Sequence, residues 1–139
     1  MQGDTQTSEG FRILLVDDHG LIRHVVGAML ECYPSLSIVG EAVDGMEAIS
    51  QAAVLKPGGI IMDINVPKID GIEATKQIKA AQPMISIIGL SVMDDEQAAG
   101  AEAVLLKGEI HELEEALSHW ALREKTRTLL RSCNPTVEQ

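Results

Sequence analysis

The sequence predicts an α/β protein, a parallel sheet with helices on both of its faces. Short, largely apolar runs rich in β-branched residues alternate along the chain with segments whose apolar residues recur at helical spacing. The strand-like runs are apolar at consecutive positions, whereas a strand wet on one side would alternate polar and apolar. At 139 residues and 45% hydrophobic content, the chain has the size of one domain and enough apolar mass for a real core.

Residues 12–16 form the first such run, which changes abruptly to Asp17, Asp18 and His19, where a helical pattern begins. That is a strand feeding a helix. Leu21, Ile22, Val25, Val26, Met29 and Leu30 carry the helix until Pro34, and residues 36–42 supply a second strand. Asp44 can cap a helix bearing Met46, Ala48, Ile49, Ala52 and Ala53, which Pro57 and Gly58 end before a strand at residues 59–62. Gly71 opens a third helix, with Ile72, Thr75, Ile78 and Lys79 on successive turns, closed near Pro83. Residues 85–90 and 103–106 are the fourth and fifth strands. The last helix starts near Glu109 and buries Ile110, Leu113, Leu117, Trp120 and Ala121. Beyond Leu122 the period weakens, and Arg123, Lys125, Arg127 and Arg131 gather there, so the helix either ends in solvent or meets something outside the domain, a solvated end being the simpler expectation. The expected organisation is a disordered leader or linker at 1–10, the domain at 11–122, and a helix extension and tail at 123–139.

A formal charge of -10 argues against a phosphate backbone as partner, since nucleic-acid binding draws its affinity from Lys and Arg. No direct nucleic-acid binding is expected of this domain. Cys32 and Cys133 make no disulfide framework, so a reducing, cytoplasmic setting is expected. No apolar run approaches the roughly 18 residues of a membrane span, and residues 1–9 lack the apolar core of a signal peptide.

In open α/β sheets, ligands bind beyond the carboxyl ends of the strands. Asp17 and Asp18 follow the first strand, the third ends at Asp63, the fourth ends at Ser91, and Lys107 follows the fifth. If the topology is parallel, three carboxylates, a hydroxyl and an amine converge on one edge. Neighbouring carboxylates repel unless a cation intervenes, and Mg2+ suits because it takes one or two carboxylates while keeping waters for a phosphate. His19, His24, His111 and His119 are scattered over helices without metal spacing.

From Phe11 to Trp120 these stretches resemble the receiver domain of response regulators in two-component signalling. The resemblance is carried by Ile13-Leu14-Leu15-Val16-Asp17-Asp18-His19, by Met62-Asp63-Ile64-Asn65-Val66-Pro67-Lys68-Ile69-Asp70-Gly71, by Gly89-Leu90-Ser91 and by Leu105-Leu106-Lys107-Gly108. It implies a three-layer sandwich on a five-stranded parallel sheet in the flavodoxin-like order 2-1-3-4-5. It implies that Asp63 accepts a phosphoryl group from a phosphohistidine, and that Asp18, Asp63 and the backbone carbonyl of Asn65 hold Mg2+, with Asp17 acting through a water. Ser91 is then the switch hydroxyl and Lys107 the phosphate contact. The implied partners are a sensor histidine kinase or phosphotransfer protein, an output protein and, as an option, a second copy in a homodimer. The wording is most similar to the subfamily that usually adds a C-terminal helix-turn-helix, here expected to be absent.

Three departures stand out. Val104 takes the place of the usual aromatic switch residue. Fifteen residues, 92–106, separate Ser91 from Lys107, which leaves about eight for a shortened fourth helix, marginal by itself. Gly58 and Gly59 replace the more usual acidic and apolar residues before the third strand. The competing readings are a receiver module of a hybrid histidine kinase, a pseudo-receiver that binds without switching, and a Mg2+-dependent phosphohydrolase using Asp63 as nucleophile. Asn65 weakens the last, because such enzymes often place an acid-base Asp two residues after the nucleophile.

Overall fold

The computed structural model describes residues 10–64, 70–91, 103–106 and 110–133. Five strands, β1 (Phe11–Val16), β2 (Leu36–Ala42), β3 (Gly59–Asp63), β4 (Ser86–Ser91) and β5 (Ala103–Leu106), form one sheet in the order β2-β1-β3-β4-β5. Every neighbouring pair is parallel. The described helices are α1 (Gly20–Leu30), α2 (Gly45–Leu55), α3 (Gly71–Ala81) and α4 (Ile110–Cys133). The segment in which the sequence predicts a shortened fourth helix, 92–102, lies outside the described residues, as does the side chain of Val104.

The strands are apolar at consecutive positions because their alternate side chains serve two cores. Leu14 and Val16 of β1, Ile60 and Met62 of β3 and Ile87 of β4 join Ala48 and Ala52 of α2 and Ala74 and Ile78 of α3 on one face. Ile13 and Leu15, Ile61, and Ile88 and Leu90 join Val26 and Leu30 of α1 and Leu113, Leu117 and Trp120 of α4 on the other. This is the layered α/β architecture that the unbroken apolar runs imply, with β1 and β3 at its centre.

Local chemistry sets the helix boundaries. Asp44 Oδ1 accepts from the Glu47 amide at 2.7 Å, satisfying a donor that the helix leaves orphaned, and Glu47 Oε1 accepts in turn from the amide of Val43, just before the cap, at 2.8 Å. Asp70 caps α3 the same way, its Oδ1 accepting from the Glu73 amide at 2.9 Å. At the far end of α3, Lys79 Nζ donates to the carbonyls of Pro83 and Ile85, tying the turn to β4. α4 buries Leu113, Leu117, Trp120 and Glu124, and it continues past them to Cys133 with Leu122, Leu129 and Leu130 each roughly 60% exposed. Among the described residues, no helix is long and apolar enough to cross a membrane.

The glycine pair at the start of β3 has a packing reason. Phe11 and Trp120 stack at a ring separation of 5.0 Å and a tilt of 52° over the start of this strand. A Cβ on Gly59 would stand 2.6 Å from the Phe11 ring and 2.8 Å from the Trp120 ring, inside any real contact. The aromatic pair thus occupies the space that a side chain at 59 would need. Gly59→Ala is expected to cost about 1–3 kcal/mol by overpacking. Because the clash is largely with Phe11, the cost should shrink in a Phe11→Ala background; urea unfolding of the four proteins in this double-mutant cycle checks it.

Candidate functional site

β1 and β3 are paired so that Leu15 lies opposite Ile61 and Val16 opposite Met62. The residues that follow, Asp17 and Asp63, therefore leave the sheet side by side. Asp63 is the last residue of β3, one position beyond the apolar run, and the ladder goes on pairing it with Leu90 of β4. Both carboxylates are buried, Asp17 at 3% exposure and Asp63 at 1%, whereas Asp18 faces solvent. One ligand atom from each of Asp17, Asp18, His19 and Asp63 lies within 4.8 Å of the others. Were the three carboxylates all ionised at such spacing, each pair would repel by about 3 kcal/mol at an effective dielectric of about 20.

Two side chains, His19 and Arg23, make contacts around these acids. The amide of His19 donates to Asp17 Oδ1 at 2.8 Å, and its ring Nδ1 lies 3.0 Å from Asp17 Oδ1 and 3.1 Å from Asp18 Oδ1. His19 is also the residue that starts α1, where it makes no side-chain cap. Arg23, one turn into α1, donates from Nη1 to the carbonyl of Asp17 at 2.6 Å and from Nε to Glu41 of β2 at 2.8 Å. The Asp17 amide in turn donates to the Ala42 carbonyl at 3.0 Å. The backbone around Asp17 is thus held from both sides, by β2 and by α1.

The Asp63 side is fixed by a close backbone approach. The Ile64 amide donates to the Leu90 carbonyl and the Gly71 amide to the Ile64 carbonyl, both at 3.0 Å. A Cβ at Gly71 would fall 2.2 Å from Ile64 Cα and 2.6 Å from the Asp63 carbonyl oxygen. Only glycine lets the start of α3 lie this close to the strand that ends in Asp63.

Of the residues singled out in the sequence, Asp17, Asp18 and Asp63 come together. Ser91 ends β4 opposite Leu106 of β5, which puts its backbone beside the strand that precedes Lys107. The side chain of Ser91, and Asn65 and Lys107 altogether, lie outside the described residues. The sequence reading left two residues out. His19 was grouped with the scattered histidines, although it directly follows the acidic pair at a strand end. Arg23 carried no signal, because its partner Glu41 is distant in sequence. The oxygen-rich donor set fits a hard divalent cation, for which Asp18 and Asp63, with Asp17 nearby, supply the carboxylates.

If Arg23 acts mainly through the Asp17 carbonyl, Arg23→Ala should lower the unfolding free energy by about 1–3 kcal/mol, the scale of a charge-assisted hydrogen bond. Glu41→Gln, which removes only the half-exposed partner, should cost under about 1 kcal/mol. Equal losses in urea titrations of the two variants would mean that the ion pair, and not the grip on Asp17, carries the energy.

The response regulator receiver domain family model matches residues 13–117. The chain is 42% identical over 103 residues to the transcriptional regulatory protein LiaR of Bacillus subtilis, covering 69% of this chain and 48% of that protein. It is 49% identical over 72 residues to a protein-glutamate methylesterase/protein-glutamine glutaminase of Geobacter sulfurreducens, covering 52% of this chain and 20% of that one. The chain therefore spans about half the length of the first of these relatives and a fifth of the second. Among solved structures, the response regulator domain of Thermotoga maritima CheB is 32% identical with a TM-score of 0.71, covering 81% of this chain and 96% of that one. Matches to a transcriptional regulator and to an enzyme show that this domain is used with more than one kind of output. A family match that runs from β1 into α4, on a sheet of this order, makes the chain a member of the response regulator receiver domain family of two-component signalling.

Proposed function

We propose that Asp63 is the phosphoacceptor of this receiver domain and that Asp18 and Asp63, with the backbone carbonyl of Asn65, hold Mg2+, Asp17 acting through a water. The observation that carries the reading is the burial of Asp63 at the end of a central strand, with carboxylate oxygens of Asp17 and Asp18 within 4.8 Å. Bound Mg2+ would supply charge neutralisation for the acids and for the incoming phosphoryl oxygens.

The remaining steps belong to the chain's own residues. A carboxylate oxygen of Asp63 attacks phosphorus in line; the bond from phosphorus to the donor histidine nitrogen breaks as the bond to Asp63 forms, and that nitrogen keeps the electron pair. Lys107 contributes a positive charge to the transferred group. Ser91 then hydrogen-bonds a phosphoryl oxygen, which biases the loop after β4 toward a second arrangement. Gly71 and Arg23 hold the two acid-bearing segments so that little reorganisation is needed when the phosphoryl group arrives.

The whole protein signals through protein contacts, taking phosphate from a sensor histidine kinase or phosphotransfer protein and passing the change to an output protein in the cytoplasm. The domain itself is a switch and not an enzyme. Its bounds are 11–122, and 123–139 are assigned as a helix extension and tail.

Intact mass after incubation with acetyl phosphate tests this reading. One phosphate should be added in the presence of Mg2+, none in the presence of a chelator, and none to Asp63→Asn. An adduct that persists in Asp63→Asn would move the acceptor elsewhere. Steady turnover of a generic phosphate ester would favour a phosphohydrolase.

A further inference from the structure

We propose that His19 is itself a ligand of the divalent ion in the acidic pocket, and that its imidazole shifts the preference of the site from Mg2+ toward Mn2+ and Ni2+. The proposal rests on the reading of that pocket as an ion site and concerns what the site selects.

The backbone delivers the ring. His19 follows the acid pair directly, with an extended conformation (φ -101°, ψ 111°) just before α1, and its amide is anchored on Asp17 Oδ1. The ring is not consumed as a helix cap. It sits 63% exposed at the mouth of the pocket, with Nδ1 turned inward to both acids. His24, on the same helix, belongs to no such cluster.

The spacing is that of a coordination shell. Adjacent ligands in an octahedron with bonds of about 2.1 Å are separated by about 3.0 Å, and opposite ones by about 4.2 Å. The distances from Nδ1 to Asp17 Oδ1 and Asp18 Oδ1 are 3.0 and 3.1 Å. The donors of Asp18, His19 and Asp63 lie within 4.8 Å of one another, slightly wider than one shell, with Asp17, which acts through a water, beside them. A neutral ring with its proton on Nε2 would keep a lone pair on Nδ1, the atom that lies beside the oxygens of Asp17 and Asp18. Carboxylates alone suit Mg2+, whereas an added imidazole favours later divalent ions in the order Mn2+ < Co2+ < Ni2+. A proton on Nδ1 would instead make the same contacts into hydrogen bonds, and the ring would then compete with the ion for Asp17 and Asp18. The two roles give opposite results.

The test uses the whole 139-residue chain. Electron spin-echo envelope modulation of bound Mn2+ reports a directly coordinated 14N nucleus, and calorimetry gives affinities for Ni2+ and Mg2+. Wild type is compared with His19→Ala, the His24→Ala control and Asp63→Asn. A 14N coupling present in wild type and His24→Ala but absent in His19→Ala is expected. The ratio of Ni2+ to Mg2+ affinity should fall about tenfold or more in His19→Ala, the scale at which groups around a metal tune its binding. Mn2+ that binds in an Asp63-dependent manner without a 14N coupling would overturn the proposal and leave the ion site standing. A rise in the affinity of both ions in His19→Ala would also overturn it, marking the ring as a competitor. Mn2+ that failed to bind wild type, or bound Asp63→Asn equally well, would remove the ion site and the proposal together.

Discussion

The parallel register of β1 on β3 is the constraint from which the site follows. Val16 opposite Met62 means that the next residues, Asp17 and Asp63, emerge together at the carboxyl edge of the sheet. A slip of one residue would turn every side chain of a strand to the opposite face. Here that would exchange Leu14 and Val16 of one core with Ile13 and Leu15 of the other. The hydrophobic packing that stabilises the domain therefore also fixes which acids meet. Burying both faces of β1 and β3 enforces a juxtaposition of like charges that no local preference would choose.

That juxtaposition is held by contacts around the acids. Arg23 grips the backbone of Asp17, His19 reaches both Asp17 and Asp18, and the bare backbone of Gly71 lies against the end of β3. Each of these residues belongs to a helix start, where amides left without helical partners favour negative charge nearby. The acid-bearing edge is thus stiffened by the same turns that launch α1 and α3. A site built this way takes up charge at small cost in rearrangement, which suits a domain whose work is to accept a charged group and signal its presence.

The layers of the fold were legible in the sequence because consecutive apolar residues in short runs have few other uses in a domain of this size. The acids were legible for the related reason that runs such as 12–16 and 59–62 end abruptly in carboxylates. Asp63 ends its strand as the sequence places it, because main-chain pairing with Leu90 does not stop where hydrophobicity stops. The Gly58-Gly59 pair stands in the sequence only as a departure from the usual residues, and in the structure Gly59 makes room for Phe11 and Trp120, residues far from it along the chain. Arg23 with Glu41 is hidden for the same reason: a single charged residue in a helical pattern looks like surface until the fold brings its partner. His19 was hidden differently, because metal-site spacing is sought between ligands of the same kind and its partners are carboxylates.

The central claim, that Asp63 completes an ion-dependent phosphoryl site at the end of β3, is tested most directly by fluorine NMR with beryllofluoride, which mimics a phosphoryl group on a carboxylate. The account predicts bound-state fluorine signals that require a divalent ion and vanish in Asp63→Asn. Bound signals that survive that substitution, or their absence from the folded wild-type protein with Mg2+ present, would contradict it.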